Sequence, residues 1–338
     1  MLDHGADVNF QDNYIGGVLM GAARGGNESI FQMLLAHGAT LMWSHWTFES
    51  ELAATVEGGH AKMVQLVLEH AAEVISQRKI SLDGALYEAC FRGFGGIVDI
   101  LLGFGANANA FCHPAYVVEI ASWKGHINIM KQLLNAGADP NKGAPSCSPI
   151  YFATKTGNEA AVQLLLDRGA DINALTQSDN SCAIHCAVDN ANLTMVRFLV
   201  QNGANVNVQG SFYGSCLQSA SAKGHHEMVE YLVQKGADVN IQGGFYGDAL
   251  QAAARRGYHS VVNYLPLSAA RLVGPHRQRV ERVVVDWATE GQSVYAGTKA
   301  ALEAMTRAAG AASWRGRATV NAVNPGGPFS GGDMCAQV

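Results

Sequence analysis

A mainly α fold made of stacked repeats, an α-solenoid, is predicted by three periodic features of the chain. One position recurs every 32 to 34 residues: Gly26, Gly59, Gly93, Gly125, Gly157, Ala191, Gly224 and Gly257. Five residues after each stands an apolar residue (Phe31, Val64, Val98, Met130, Val162, Val196, Val229, Val262), and four before it stands Ala or, once, Thr (Ala22, Thr55, Ala89, Ala121, Ala153, Ala187, Ala220, Ala253). A second glycine marker has the same period, at Gly5, Gly38, Gly105, Gly137, Gly169, Gly203 and Gly236, each followed by Ala. Self-similarity at this period means one supersecondary unit per repeat, too small to bury its apolar face except against its neighbours.

Within each repeat the residues between the markers read as two short helices. The first carries Leu-x-x-Ala, as in Leu19/Ala22, Leu86/Ala89, Leu217/Ala220 and Leu250/Ala253. The recurring Gly then makes a tight turn. The second helix carries apolar residues three to four apart, such as Val64, Val67 and Leu68, and closes on a Gly suited to a left-handed cap. Repeat two departs, with Ala71-Ala72 in place of Gly-Ala. A helix, a turn, a helix and a loop fill about 33 residues.

These repeats resemble ankyrin repeats. The family's T-P-L-H-x-A signature survives as Ser148-Pro149-Ile150-Tyr151-Phe152-Ala153 and as Ala183-Ile184-His185-Cys186-Ala187. Elsewhere Thr-Pro is lost, and Gly214-Ser215-Cys216-Leu217-Gln218-Ser219-Ala220 and Gly247-Asp248-Ala249-Leu250-Gln251-Ala252-Ala253 stand there. The resemblance covers residues 1–265, about eight repeats, and implies a non-enzymatic array that binds a partner on a concave face lined by first helices and loop tips. Both ends of the array read as cut. The chain starts at Leu2, in the last turn of a second helix, and Pro266 arrives where the second helix of repeat eight would continue. An alternative reading that follows is a repeat fragment of a larger signalling protein.

Past Pro266 the period is lost. Residues 266–282 read as a basic junction, Val283-Val284-Val285 as a strand, 293–311 as an Ala-rich helix and 318–323 as another strand ending at Pro325. This makes a small incomplete βαβ-like or partly disordered tail. Within it Tyr295-Ala296-Gly297-Thr298-Lys299, followed by Asn321-Ala322-Val323-Asn324-Pro325-Gly326, resembles a short-chain dehydrogenase/reductase. On a helix, Lys299 shares a face with Tyr295 and would favour its phenolate. In the family that Tyr is the acid/base, and the Lys also binds the nicotinamide ribose. However, Arg282 stands thirteen residues before Tyr295, where the family places its catalytic Ser. No Gly-rich strand-to-helix turn for a dinucleotide precedes it. Residues 283–338 are therefore expected to be a vestigial fragment without cofactor or activity.

Composition narrows the function. Residues 1–265 hold 15 Lys/Arg against 23 Asp/Glu, and the remainder 8 against 5, so the array is acidic. Nucleic acid, which needs a basic face, is not an expected partner. No run of 18 apolar residues and no apolar leader occurs, so no membrane role is expected. The seven cysteines lack regular pairing and fit reduced thiols, hence a cytoplasmic or nuclear setting. Cys182, His185 and Cys186 offer metal-ligand chemistry, but His185 holds the signature's own His position, so no metal is expected. His60, His126 and His225 each follow a recurring position and read as structural. Phe212-Tyr213 and Phe245-Tyr246, 33 residues apart in equivalent loops, are expected to pack on one another.

Residues that break the pattern are the better partner-binding candidates. Two positions before the recurring Gly, repeats three to five carry Phe91, Trp123 and Lys155; Arg92 and Lys124 follow the first two, and Phe152 precedes Lys155 by about one turn. Adjacent repeats set these side chains next to one another, and aromatic residues with cations are the composition of interaction hot spots. The expected partner is a protein or peptide with acidic and apolar groups, with no small-molecule substrate.

Overall fold

The computed structural model describes residues 7–12, 16–40, 52, 55–78, 81–112, 114–143 and 148–271. The dehydrogenase-like segment with Tyr295 and Lys299 lies outside the described residues, as do Leu2 and Gly5. The chain divides into two compact units, Met1–Thr176 and Gln177–Val338.

In the first unit, paired helices follow one another as α1 (Val18–Arg24) and α2 (Glu28–Ala36), α3 (Ala61–Arg78), α4 (Asp83–Arg92) and α5 (Gly95–Gly103), α6 (Val117–Lys124) and α7 (Ile127–Asn135), and α8 (Pro149–Lys155) and α9 (Glu159–Asp167). The second holds α10 (Ala183–Asp189), α11 (Leu193–Gln201), α12 (Cys216–Lys223), α13 (His226–Gln234), α14 (Ala249–Arg256) and α15 (His259–Arg271). None of the described helices is long and apolar enough to cross a membrane. First helices pack on the first helices of adjacent repeats, as α4 on α6 and α6 on α8, or α12 on α14.

Both periodic columns form the core. Phe31, Val64, Val98, Met130 and Val162 in the first unit, and Val196, Val229 and Val262 in the second, are all buried. So is the small-residue column from Ala22 to Ala253, which lets neighbouring first helices approach closely. At each recurring glycine the backbone is left-handed, with φ of 66° at Gly26 and 84° at Gly93. Ala191 takes the same conformation at φ 55°, although it costs an L-residue roughly 1–2 kcal/mol. The position after the glycine explains a further constraint: the ring of His60 packs on Gly26, and that of His126 on Gly93.

Six second helices end in one way. The amide of the Ala after the terminal Gly donates to a Leu carbonyl of the last turn: Ala39 to Leu34 at 2.9 Å, Ala138 to Leu133 at 2.9 Å and Ala237 to Leu232 at 2.9 Å. This is the long bond of a glycine-closed helix. Repeat two, which has Ala71-Ala72 there, lacks that stop. Its second helix α3 runs for 18 residues, against 9 in α2, α5, α7 and α9.

The turn after the terminal Gly, which reads Gly-Ala-x-x-Asn, then stitches repeats together. Asn109 Nδ2 donates to Gly137 O at 3.0 Å while its Oδ1 accepts from Asp139 N at 2.9 Å. Asn9, Asn141 and Asn207 repeat the arrangement on Gly38, Gly169 and Gly236. Each Asn thus closes one turn onto the next, which fixes the spacing between repeats.

Two features depart from the sequence reading. Some inter-repeat loops are short antiparallel hairpins: β1 (Gln11–Asp12) with β2 (Gly16–Gly17), β3 (Phe111–Cys112) with β4 (Ala115–Tyr116), and β5 (Gln209–Gly210) with β6 (Gly214–Ser215). Strands of two residues carry no alternation that a period could reveal. In addition, α15 does not stop at Pro266 but continues to Arg271. A proline removes one backbone donor and crowds the preceding turn, which bends or weakens a helix without always ending it.

Candidate functional site

The six residues singled out at repeats three to five lie on α4, α6 and α8, at the C-terminal ends of three neighbouring first helices. Phe91 and Trp123 have ring centroids 6.4 Å apart, and Trp123 and Phe152 are also 6.4 Å apart. The row extends at both ends through residues the sequence reading passed over. Tyr87 stacks on Phe91 at 6.4 Å, and Tyr151 meets Phe152 edge-on at 6.3 Å. Five rings therefore run unbroken across three repeats, and Phe91 and Trp123 remain 37% and 44% exposed. Tyr87 and Phe91 are four apart on one helix, a spacing that places both rings on one face. That spacing was the available signal.

The cations divide into two kinds. Arg92 is absorbed into the protein: it pairs with Glu88 on its own helix and lies 3.8 Å from Glu57 of repeat two, which Arg24 also approaches at 3.8 Å. Lys124 instead lies against the rings, its Nζ 3.9 Å from the Phe91 centroid and 4.5 Å from that of Trp123. Such cation–π contacts hold the ammonium in place while leaving it charged. Lys155 is exposed beside Phe152, which is half-buried. Burial, and after it the neighbouring Cys112 and Glu88, push the Tyr87 phenol up, so it is a neutral hydroxyl at physiological pH.

In the second unit the equivalent face is closed on itself. Asp189 Oδ1 accepts from Ser219 Oγ at 2.6 Å and from Lys223 Nζ at 2.7 Å. Lys223 also donates to the Asp189 carbonyl at 2.9 Å. On the loops, Phe212 stacks on Phe245 with centroids 4.8 Å apart and Tyr213 on Tyr246 at 6.1 Å. The packing between hairpins expected from their equivalence is present, though both Phe rings stay about 60% exposed.

His185 serves the architecture. It is buried, and its Nδ1 lies 3.3 Å from both the amide and the Sγ of Cys182. Among the described residues no group of three His, Cys, Asp or Glu is arranged to hold a metal. Burial holds its pKa below the ordinary value, against opposing contributions from Asp189, the Val208 and Gly214 backbone and Asp179. A folded pKa below the unfolded one means that the unfolded state takes up the extra proton. This contribution is fully present above the ordinary value of 6.5 and is lost as pH falls below it through the lower folded pKa. His185→Gln, which installs the residue found at this position in repeats seven and eight, is expected to lose less melting temperature than the parent between pH 7.5 and 5. His225, lowered by burial and Lys223, leaves a residual effect of the same sign. Equal losses in both proteins would rule His185 out as a contributor.

Family profiles for ankyrin repeats match residues 118–210, as three copies, and residues 217–265, as many copies. The ankyrin repeat domain of Bcl-3, described as a unique member of the IkappaB protein family, superposes with a TM-score of 0.53 at 28% identity, covering 62% of this chain and 96% of that domain. The fold is an ankyrin-repeat solenoid. Among curated proteins, the B-cell lymphoma 3 protein homolog of Mus musculus is 49% identical over 76 residues, which are 22% of this chain and 17% of that protein. An ankyrin repeat protein of fowlpox virus (strain NVSL) is 38% identical over 80 residues, 23% of this chain and 12% of the relative. These matches span less than a fifth of the relatives' length. The ankyrin assignment explains the helix pairs, the glycine turns and the small-residue column together, and it leaves the aromatic row as a feature outside the repeat pattern.

Proposed function

We propose that this chain is a non-enzymatic protein-interaction module whose partner, a protein or peptide, lies across the first-helix ends of repeats three to five. The observation that carries the reading is the unbroken row from Tyr87 to Tyr151 with Lys124 laid over it. Helix-end positions that elsewhere carry charged or small residues here expose Phe91 and Trp123, at the expense of solubility. Large exposed rings flanked by cations are enriched where binding energy concentrates. Phe91, Arg92, Trp123, Lys124, Phe152 and Lys155 form the contact set, with Arg92 acting through its ion pairs to fix the helix end. Kinship with ankyrin repeats supports the interaction role, and the buried thiols of Cys90 and Cys216, which form no disulfide, fit a cytoplasmic or nuclear setting.

Capture of partners by the immobilised full chain, compared with Phe91→Ala/Trp123→Ala, tests the assignment. The double variant is expected to retain its helical circular dichroism and to bind at least about tenfold more weakly. Undiminished capture removes the surface from consideration. Residues 283–338 are read as an inactive dehydrogenase-like remnant. NADH titration monitored by fluorescence checks this, since micromolar binding that depends on Tyr295 and Lys299 would favour an oxidoreductase instead.

A further inference from the structure

Two lysines of this chain occupy the same place in the repeat and meet different neighbours. Lys124 and Lys223 each stand one residue before the recurring glycine, in repeats four and seven. In each case the residue facing the lysine comes from the preceding repeat, two positions before its own recurring residue. For Lys223 that residue is Asp189, and carboxylate and ammonium meet at 2.7 Å. For Lys124 it is Phe91, whose ring centroid lies 3.9 Å from Nζ. The repeat geometry therefore brings a lysine of one repeat onto the preceding helix end, and opposite Lys124 a ring stands at the position where Lys223 meets an acid.

Among the described residues, ion pairs at the neighbouring helix ends join Arg24, Glu57, Arg92 and Glu88, two cations with two anions. Among the described residues no carboxylate lies within ion-pair distance of Lys124. The Phe91 and Trp123 rings fix its position, so a ligand carboxylate finds a preorganised donor with little side-chain entropy left to lose.

We propose that Lys124 receives a side-chain carboxylate from an acidic peptide segment, whose adjacent apolar side chain seats on the Phe91–Trp123–Phe152 rings. The proposal rests on the aromatic row being the partner surface. The Asp189–Lys223 pair is its internal template, with the acid supplied in trans.

Short random peptides displayed on phage, selected on the full chain and then synthesised, provide the probe. Enriched peptides are expected to carry Asp or Glu next to an aromatic or aliphatic residue. Lys124→Met should weaken them about tenfold, the contribution of a hydrogen bond to a charged group, and should flatten the dependence of affinity on salt. Phe91→Asp, which installs the acid that Lys223 already has, should weaken them more than Phe91→Asn, because only the former neutralises Lys124 internally. Enrichment of neutral or basic peptides, or an unchanged affinity in Lys124→Met while Trp123→Ala abolishes binding, overturns the charge assignment and leaves the surface standing. Failure to select any peptide, or peptides indifferent to Trp123→Ala as well, overturns the surface itself.

Discussion

Gln218→Ala is expected to lower the stability of the second compact unit by about 3 kcal/mol, read from the urea midpoint at constant m. Gln218 is buried at the position where the ankyrin signature has His. Its Oε1 accepts from the Ser215 amide at 2.6 Å, and its Nε2 donates to the carbonyls of Gly243 at 2.9 Å and Gly247 at 2.7 Å. One side chain thus caps its own helix α12 and clamps the hairpin loop of the following repeat. Truncation leaves the amide of the buried Ser215 without this partner, an unmet buried polar group costing about 1–3 kcal/mol, and it releases the Gly243 and Gly247 carbonyls from the clamp, although Gly247 O still accepts from Gly243 N at 2.8 Å. Gln218→His should recover part of the loss, because His185 accepts from the amide three residues before it in the same way. A midpoint unchanged in Gln218→Ala would show that water replaces the clamp at no cost.

That equivalence marks where the sequence was legible and where it was not. Burial follows period, and the columns through Val98 and Ala89 needed only the recurrence to be identified as core. The missing glycine at Ala71-Ala72 likewise coincides with a second helix that runs on to Arg78. Chemical identity was harder to interpret, because Glu119, His185 and Gln218 share one repeat position and one task. Each accepts from the amide three residues earlier, Glu119 Oε2 from Tyr116 at 2.7 Å. Nothing in their residue types shows the shared role, since it is set by the backbone donor that the helix start presents. At the candidate site, the contact between Phe91 and Trp123 followed from their shared register, and that between Trp123 and Phe152 from the position of Phe152 one turn before the equivalent Lys155. The division of labour between Arg92 and Lys124 did not, because it depends on which residue of the preceding repeat faces each cation, Glu57 for Arg92 and Phe91 for Lys124, a pairing across the repeat boundary that spacing within one helix does not show.

The second large effect is expected at Gly244. Its φ is 63°, and a Cβ built there would lie 2.0 Å from the Tyr213 carbonyl oxygen of the preceding hairpin. The two loops meet backbone to backbone at this point, joined by a hydrogen bond from Phe245 N to Phe212 O at 3.1 Å, with the Phe212 and Phe245 rings stacked over it. Gly244→Ala therefore incurs two separate costs. The left-handed conformation accounts for roughly 1–2 kcal/mol, and the contact with a backbone atom, which cannot rotate away, must push the hairpins apart and break that bond. Gly236→Ala isolates the first cost, because Gly236 has φ 89° but open space where its Cβ would go. Gly244→Ala should thus lose about 3 kcal/mol and Gly236→Ala about 1 kcal/mol. Only Gly244→Ala should alter the near-ultraviolet circular dichroism of the stacked rings. Equal losses with an unchanged spectrum would mean that conformation alone, and not the close approach of neighbouring hairpins, requires glycine at Gly244.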